Sequence, residues 1–306
     1  MSNLSENKLK TYAAGAGLFV SVFLCLLKAG AAFFTGSLSV ISSLIDSLTD
    51  MFSSGISLVA VHYSNLPFSD KHRYGYGKAE SLSALLQAAF IVGSGSFILY
   101  DGINRFINPV EIRQTNAGIA VMIASLLITL ALITFQKYVA KKTKSLAIEA
   151  ESAHFTVDIL TNISIILSLL SVKYFGWWWI DIVTAAGISV YLIWNAVILV
   201  YEAVSQITDK EVDENIKKHL TEIISSTPEV KGFHDLRTRV SGARMFIELH
   251  LEIDGNKTLF AAHQISDDVE QKISNAYQNA FIIIHQDPFG IKENRLDDEL
   301  KGHCEI

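Results

Sequence analysis

The run AGIAVMIASLLITLALITFQKY, residues 117–138, holds no charged side chain before Lys137. As a helix rising 1.5 Å per residue it would extend about 33 Å, enough to cross a hydrocarbon layer of roughly 30 Å. Five further stretches read the same way: Tyr12 to Phe34, Leu38 to His62, Leu82 to Phe106, Ile148 to Tyr174 and Trp179 to Val204. The whole chain agrees with that reading. Its 306 residues are 50% hydrophobic and 18% charged, and the mean hydropathy of +0.33 is above that of ordinary soluble domains. A net charge of −6 excludes the basic footprint of a nucleic-acid binder. Two cysteines, Cys25 in an apolar run and Cys304 near the end, build no disulfide framework.

Turn-forming residues separate the spans at Thr35-Gly36, Asn65-Leu66-Pro67, Asn108-Pro109 and Phe175-Gly176. Trp177, Trp178 and Trp179 form an aromatic anchor suited to a membrane interface. Basic residues mark the cytoplasmic side. Lys8 and Lys10 precede the first span, Lys71, Arg73 and Lys78 follow the second, and Lys137, Lys141, Lys142 and Lys144 follow the fourth. The opposite loops hold only Arg105, Arg113 and Lys173. Both termini are expected in the cytoplasm, and residues 1–207 form a six-helix transmembrane domain. Lys28, inside the first span, is read as a snorkelling or helix-facing side chain without a role.

Beyond Ile207 the pattern is that of a soluble domain. Glu211 to Ile224 is amphipathic, and Val230 to Val240 reads as a strand. In Arg244 to Ile253, Ile247, Leu249, Leu251 and Ile253 alternate with Phe246, Glu248, His250 and Glu252, which marks a second strand. Leu259 to Tyr277 is a second helix and Phe281 to His285 a last strand. The order αββαβ predicts a small α+β domain over residues 208–290, with a polar, disordered tail over 291–306.

The chemistry is concentrated in two spans. The second contains Asp46 and Asp50, and the fifth contains His154 and Asp158, each pair at i, i+4 and therefore on one helix face. These are read as the only acidic residues well inside their spans. An ionised Asp at a helix centre costs about 2.5–3.5 kcal/mol, so three unpaired carboxylates together would cost roughly 8–10 kcal/mol. Neither span has a Lys or Arg at matching depth, so protons, water or a bound cation must compensate them. Three carboxylates and one imidazole suit Zn2+, with Fe2+, Mn2+, Co2+ and Cd2+ as alternatives; Ca2+ and Mg2+ prefer more oxygens. A proton relay without metal and a purely structural bundle contact are the competing readings. Because every ligand titrates, metal loading expels protons, and the chain is expected to be a metal/proton antiporter. A membrane metalloenzyme would need an open coordination position and a separate base, and neither an HExxH pattern nor a nucleophile motif is present.

Five segments carry a family resemblance: Ser37-Leu38-Ser39-Val40 with Asp46-Ser47-Leu48-Thr49-Asp50; Gly75-Tyr76-Gly77-Lys78-Ala79-Glu80; Ala153-His154-Phe155-Thr156-Val157-Asp158; His234-Asp235-Leu236-Arg237-Thr238-Arg239; and Ile284-His285-Gln286-Asp287-Pro288. Through them the chain resembles the cation diffusion facilitators, in particular the bacterial zinc and iron efflux branch, over nearly its whole length. The resemblance implies a homodimer in the bacterial inner membrane, without an organic cofactor, that exports Zn2+ or a related ion from the cytoplasm. It implies a transport site at Asp46, Asp50, His154 and Asp158, and a metallochaperone-like cytoplasmic domain. It also implies a binuclear zinc site from His234, His250, His263, His285, Gln286 and Asp287, and a dimer interlock of Lys78 with Asp209. Geometry independently supports part of the cytoplasmic set, since His250 lies on the polar face of its strand and His285 and Asp287 share a face at i, i+2. One departure is evident. The family's loop site of an aspartate and two histidines matches Ser69, His72 and Tyr76 here, with Asp70 adjacent, so a metal site at Asp70 and His72 is expected to be weak or absent.

Overall fold

The structure, a computed structural model, describes residues 2–35, 38–107, 116–175, 180–292 and 294–302. The Trp177 to Trp179 anchor, Arg113 and the turns at Gly36, Asn108-Pro109 and Gly176 lie outside the described residues. The chain divides into two compact units, Met1–Val204 and Ser205–Ile306.

The first unit is helical: α1 (Ser2–Thr35), α2 (Leu38–Ser64), α3 (Lys78–Ile107), α4 (Asn116–Thr143), α5 (Leu146–Phe175) and α6 (Ile180–Ile207), the last running three residues into the second unit. Within α1, α3, α4 and α6 the segments Glu6–Gly30, Lys78–Tyr100, Ile123–Thr143 and Ala186–Ile207 are long and apolar enough to cross a membrane. The helices α2 and α5, 27 and 30 residues long, also have the length to cross a membrane. Phe19, Phe97, Leu127 and Trp194 point outward and exposed, the arrangement of a bundle whose solvent is lipid. Inside, small side chains let the helices approach closely. Ala84 and Ala88 of α3, Ala150 of α5 and Ala196 and Ala203 of α6 pack with Ile91, Val157, Leu192 and Leu199. Ala13 and Ala14 of α1 meet Val61 of α2, Val139 and Ala140 of α4 and Ala147 and Ile148 of α5.

The second unit comprises α7 (Glu214–Ser225), β1 (Val230–Ser241), β2 (Arg244–Ile253), α8 (Leu259–Ala276), β3 (Ala280–Pro288) and a short α9 (Leu296–Gly302). The strands order β1-β2-β3, with β1 antiparallel and β3 parallel to β2. The parallel pair requires a crossover, which α8 supplies. Gly242, at φ 61, supplies the left-handed conformation at the first position of the two-residue β1–β2 turn. One face of the sheet, with Ile247, Leu249, Leu251 and Ile253, packs on Leu220 and Ile224 of α7 and on Ile265, Val269 and Ile273 of α8. The αββαβ expectation therefore holds.

Part of the tail read as disordered, Leu296–Gly302, forms α9, and two kinds of contact hold its start to the sheet. The Asp297 N–H donates to Asp235 and the Asp235 N–H to Asp297, both at 3.0 Å, while Arg295 donates to Glu252 in a short, charge-assisted bond. A polar sequence suggests solvation, but here the polar groups find partners presented by a folded strand.

Candidate functional site

In the membrane unit the packing of α2 against α5 turns Asp50 and His154 toward each other. His154 Nε2 lies 3.1 Å from an Asp50 carboxylate oxygen, and both residues are buried. Asp158, one turn further along α5, is partly buried and near enough to His154 to act on its charge. Asp46 lies on α2, and its side chain falls outside the described residues. The other ring nitrogen of His154, Nδ1, is buried without a hydrogen-bond partner. An imidazole and a carboxylate from two helices, facing each other in an apolar bundle, are groups that could hold a cation together.

Spacing alone left several members of this region unseen. Lys28 takes the helix-facing alternative: its ammonium donates to Ser47 at 2.7 Å, between the Asp46 and Asp50 positions on α2. A neighbouring helix thus supplies the cation that α2 and α5 lack. Glu80, noted only within a motif, is fully buried and accepts from Lys10 at 2.8 Å, Ser64 at 2.6 Å and Ser145 in a still shorter bond. Glu151, near the start of α5 and one turn before His154, is also fully buried. The signal for Glu151 was its i, i+3 spacing from His154.

In the cytoplasmic unit the strand register builds the second cluster. His234, His250 and His285 are cross-strand partners in one row, and Glu252 and Asp287 are partners in the next. A bulge between His234 and Arg237 shifts the β1 register, with Asp235 at φ 51; it permits Leu236 to enter the core while His234 faces His250. His250 Nδ1 is 2.8 Å, His285 Nε2 3.2 Å and His234 Nε2 3.7 Å from Asp287 carboxylate oxygens. Among the described residues, His234, His250 and Asp287 are the one group of three or more such side chains close enough to share an ion. Glu252 joins them unexpectedly, 3.2 Å from His234 Nδ1. Gly232 stands opposite, where a Cβ would come within 2.9 Å of the Glu252 carboxylate.

The remaining expected ligands are placed elsewhere. His263 is exposed on α8, 3.5 Å from Asp267, and Gln286 projects to the opposite face of β3 from His285 and Asp287. In the loop after α2, Ser69 hydrogen-bonds Tyr76 at 3.0 Å and the His72 ring lies against Tyr76, with Asp70 and His72 exposed. The groups matching a metal site are thus spent on one another. Lys78 begins α3 in the first unit, and Asp209, in the second, receives Arg239 at 3.4 Å. Near the cluster, burial acts to raise the Asp235 carboxyl. The N–H groups of Asp297 and Leu296 outweigh it, and His234 and His250 add to them, so Asp235 is held below its ordinary value.

Residues 15–208 match the model of the cation efflux transmembrane domain, and residues 212–289 that of the cytoplasmic domain of cation efflux proteins. Cation-efflux pumps FieF of Escherichia fergusonii, Citrobacter koseri and Klebsiella pneumoniae are each 38% identical over 289 residues, covering 94% of this chain and 96% of the relative. Among solved structures, the Zn form of the transporter CzrB is 25% identical with a TM-score of 0.27, covering 28% of this chain and 99% of its own. The metal-bound C-terminal domain of the CzcD transporter from Thermotoga maritima is 24% identical with a TM-score of 0.25, covering 26% and 93%. The family matches span both units and include every residue of the two clusters. The chain therefore belongs to the cation efflux family, also called the cation diffusion facilitators, and is an integral membrane transporter of that family.

Proposed function

We propose that this transporter exports a divalent transition-metal ion, Zn2+ first among Fe2+, Mn2+, Co2+ and Cd2+, from the cytoplasm in exchange for protons. The single observation that carries the reading is the buried His154–Asp50 contact at 3.1 Å between two apolar helices. Asp46, Asp50, His154 and Asp158 are the proposed transport ligands. A mixed imidazole and carboxylate set favours borderline transition metals over Ca2+ and Mg2+. Proton coupling follows from the ligands, since each must give up its proton to hold metal. Relatives named as cation-efflux pumps and found in bacteria support the direction of transport and a bacterial inner membrane; the bias of Lys and Arg between the spans supports cytoplasmic termini.

The protein is proposed to work as a homodimer whose cytoplasmic domain, residues 208–290, binds metal through His234, His250, His285 and Asp287. His263 and Gln286 would join only if the sheet face or α8 rearranged. Phe281 and Ile283, exposed on the same sheet face as His285, offer apolar area to a second copy, and Lys78 and Asp209 would lock the pair near the membrane. The Asp70 and His72 loop is assigned no strong metal site.

The test is a flux assay in proteoliposomes across Zn2+, Fe2+, Mn2+, Co2+ and Cd2+. Asp50→Ala and His154→Ala should each lower flux by more than the roughly 10–100-fold that losing an outer partner of a metal ligand costs. Near-native flux in either variant, or metal movement without any proton movement, would defeat the assigned site or the coupling respectively.

A further inference from the structure

The Asp50–His154 pair does not stand alone in the bundle. One turn toward the start of α5, the fully buried Glu151 side chain projects among α1, α2 and α4, beside Ser54, Ser57 and Gln136. None of these gives either carboxylate oxygen a hydrogen bond of ordinary geometry. Ser57 Oγ and Gln136 Oε1, both on fully buried residues, also lack partners; the Gln136 amide nitrogen, close to the Glu151 carboxylate, donates to the Ala13 carbonyl at 3.5 Å. The space is shaped for the carboxylate: a Cβ at Gly17 would fall 2.1 Å from Glu151 Oε1 and 2.9 Å from Gln136 Nε2. Buried polar oxygens are normally satisfied, and a carboxylate most of all. Glu80 shows the contrast, with a cation and two hydroxyls on its oxygens.

A buried carboxylate without a cation partner among the described residues, packed against a glycine, flanked by the unpartnered oxygens of Ser57 and Gln136 and adjoining His154, is complementary to a cation. Resting on the transport reading above, we infer that Glu151, with Ser57 and Gln136, is a second cation station that takes a partly hydrated divalent ion on its way between the α5 start and the Asp50–His154 site. Its donors are all oxygen and only one is anionic. It therefore holds a transition-metal ion more weakly than a site with imidazole and several carboxylates, as a way station must if the ion is to move on. The serines and Gln136 replace part of the hydration shell without fixing the ion.

The experiment follows Zn2+ entry into proteoliposomes by stopped flow, with Zn2+ binding to the purified full chain measured alongside. Glu151→Gln keeps the shape and removes the charge. Its initial Zn2+ rate should fall about 10–100-fold, the range seen when a supporting group of a metal site is lost, with Zn2+ affinity at the Asp50–His154 site changed far less. Glu151→Asp, which keeps the charge, should recover part of the rate. A native rate in Glu151→Gln overturns the proposal. So does an equal loss of rate and affinity, which would make Glu151 a ligand of the transport site itself. Normal Zn2+ loading with proton release abolished overturns it too, since the residue would then carry protons and not metal. If Glu151→Gln does not fold, Ser57→Ala serves in its place: a slower rate at unchanged affinity supports the station, and a native rate overturns it. Should the native chain move no Zn2+, the transport reading fails on its own. The station is then decided by equilibrium binding in an Asp50→Ala background, where Glu151→Gln must remove a further weakly bound Zn2+; if it removes none, the station is refuted.

Discussion

Single residues show most sharply how burial converts charge into constraint. Lys10 and Glu80 are both nearly inaccessible, 2.8 Å apart, and Ser64 and Ser145 complete the carboxylate. Removing one member of such a pair strands the other charge in a medium that cannot solvate it, whereas the intact, fully bonded network costs little. Glu80→Gln should therefore destabilise the membrane unit by roughly 3–5 kcal/mol, read from thermal or denaturant unfolding in detergent. Lys28 is expected to matter differently. Its bond to Ser47 holds a positive charge against α2, the helix that carries Asp46 and Asp50, and we expect it to offset the carboxylates when no metal is bound. Lys28→Met should slow Zn2+ release more than it alters folding, measured as a lower maximal flux with a native unfolding temperature.

Secondary-structure elements contribute by what their ends and irregularities expose. The seven-residue α9 is too short to persist alone, so it depends on the sheet that holds it. Its first N–H groups would be orphans, and the Asp235 carboxylate, presented by the β1 bulge, accepts from Leu296 and Asp297 as a cap supplied from another element. Asp235→Ala should cost docking about 1 kcal/mol, the ordinary value of a lost cap. Amide exchange in residues 296–302 should then rise roughly fivefold, measured by hydrogen–deuterium exchange. The pH dependence has a definite sign. The docked carboxyl is held below its free value of about 3.9, so the bond contributes fully above that pH and is lost as pH falls through the lower, docked value. A tail equally protected in Asp235→Ala and in the native chain would contradict the capping role.

For the whole molecule, the two units divide the work by solvent. The membrane unit surrounds its polar contacts with lipid-facing apolar side chains, and the cytoplasmic unit gathers His234, His250, His285 and Asp287 on the sheet face opposite its core. Binding metal there stabilises whichever fold holds the cluster. At Zn2+ about 100 times its dissociation constant, the stabilisation should be roughly 2.7 kcal/mol. Thermal unfolding should show this shift, a chelator should reverse it, and it should weaken as pH falls because protons compete for the imidazoles. The membrane class, the αββαβ domain and the Asp50 and His154 faces were legible in the linear chain, because hydropathy length, strand alternation and i, i+4 spacing are local properties. Glu80, Lys28 and Glu252 were not, since spacing sets the angle between side chains on one helix or strand but never the angle at which a neighbouring element meets them. The same limit explains α9, whose polar residues look suited to water until the β1 bulge offers them partners. Sequence by itself determined the medium each part folds in and the faces its chemistry occupies. Only tertiary packing decided which of those faces meet, because the energy of a buried charge depends on the groups that other segments bring to it.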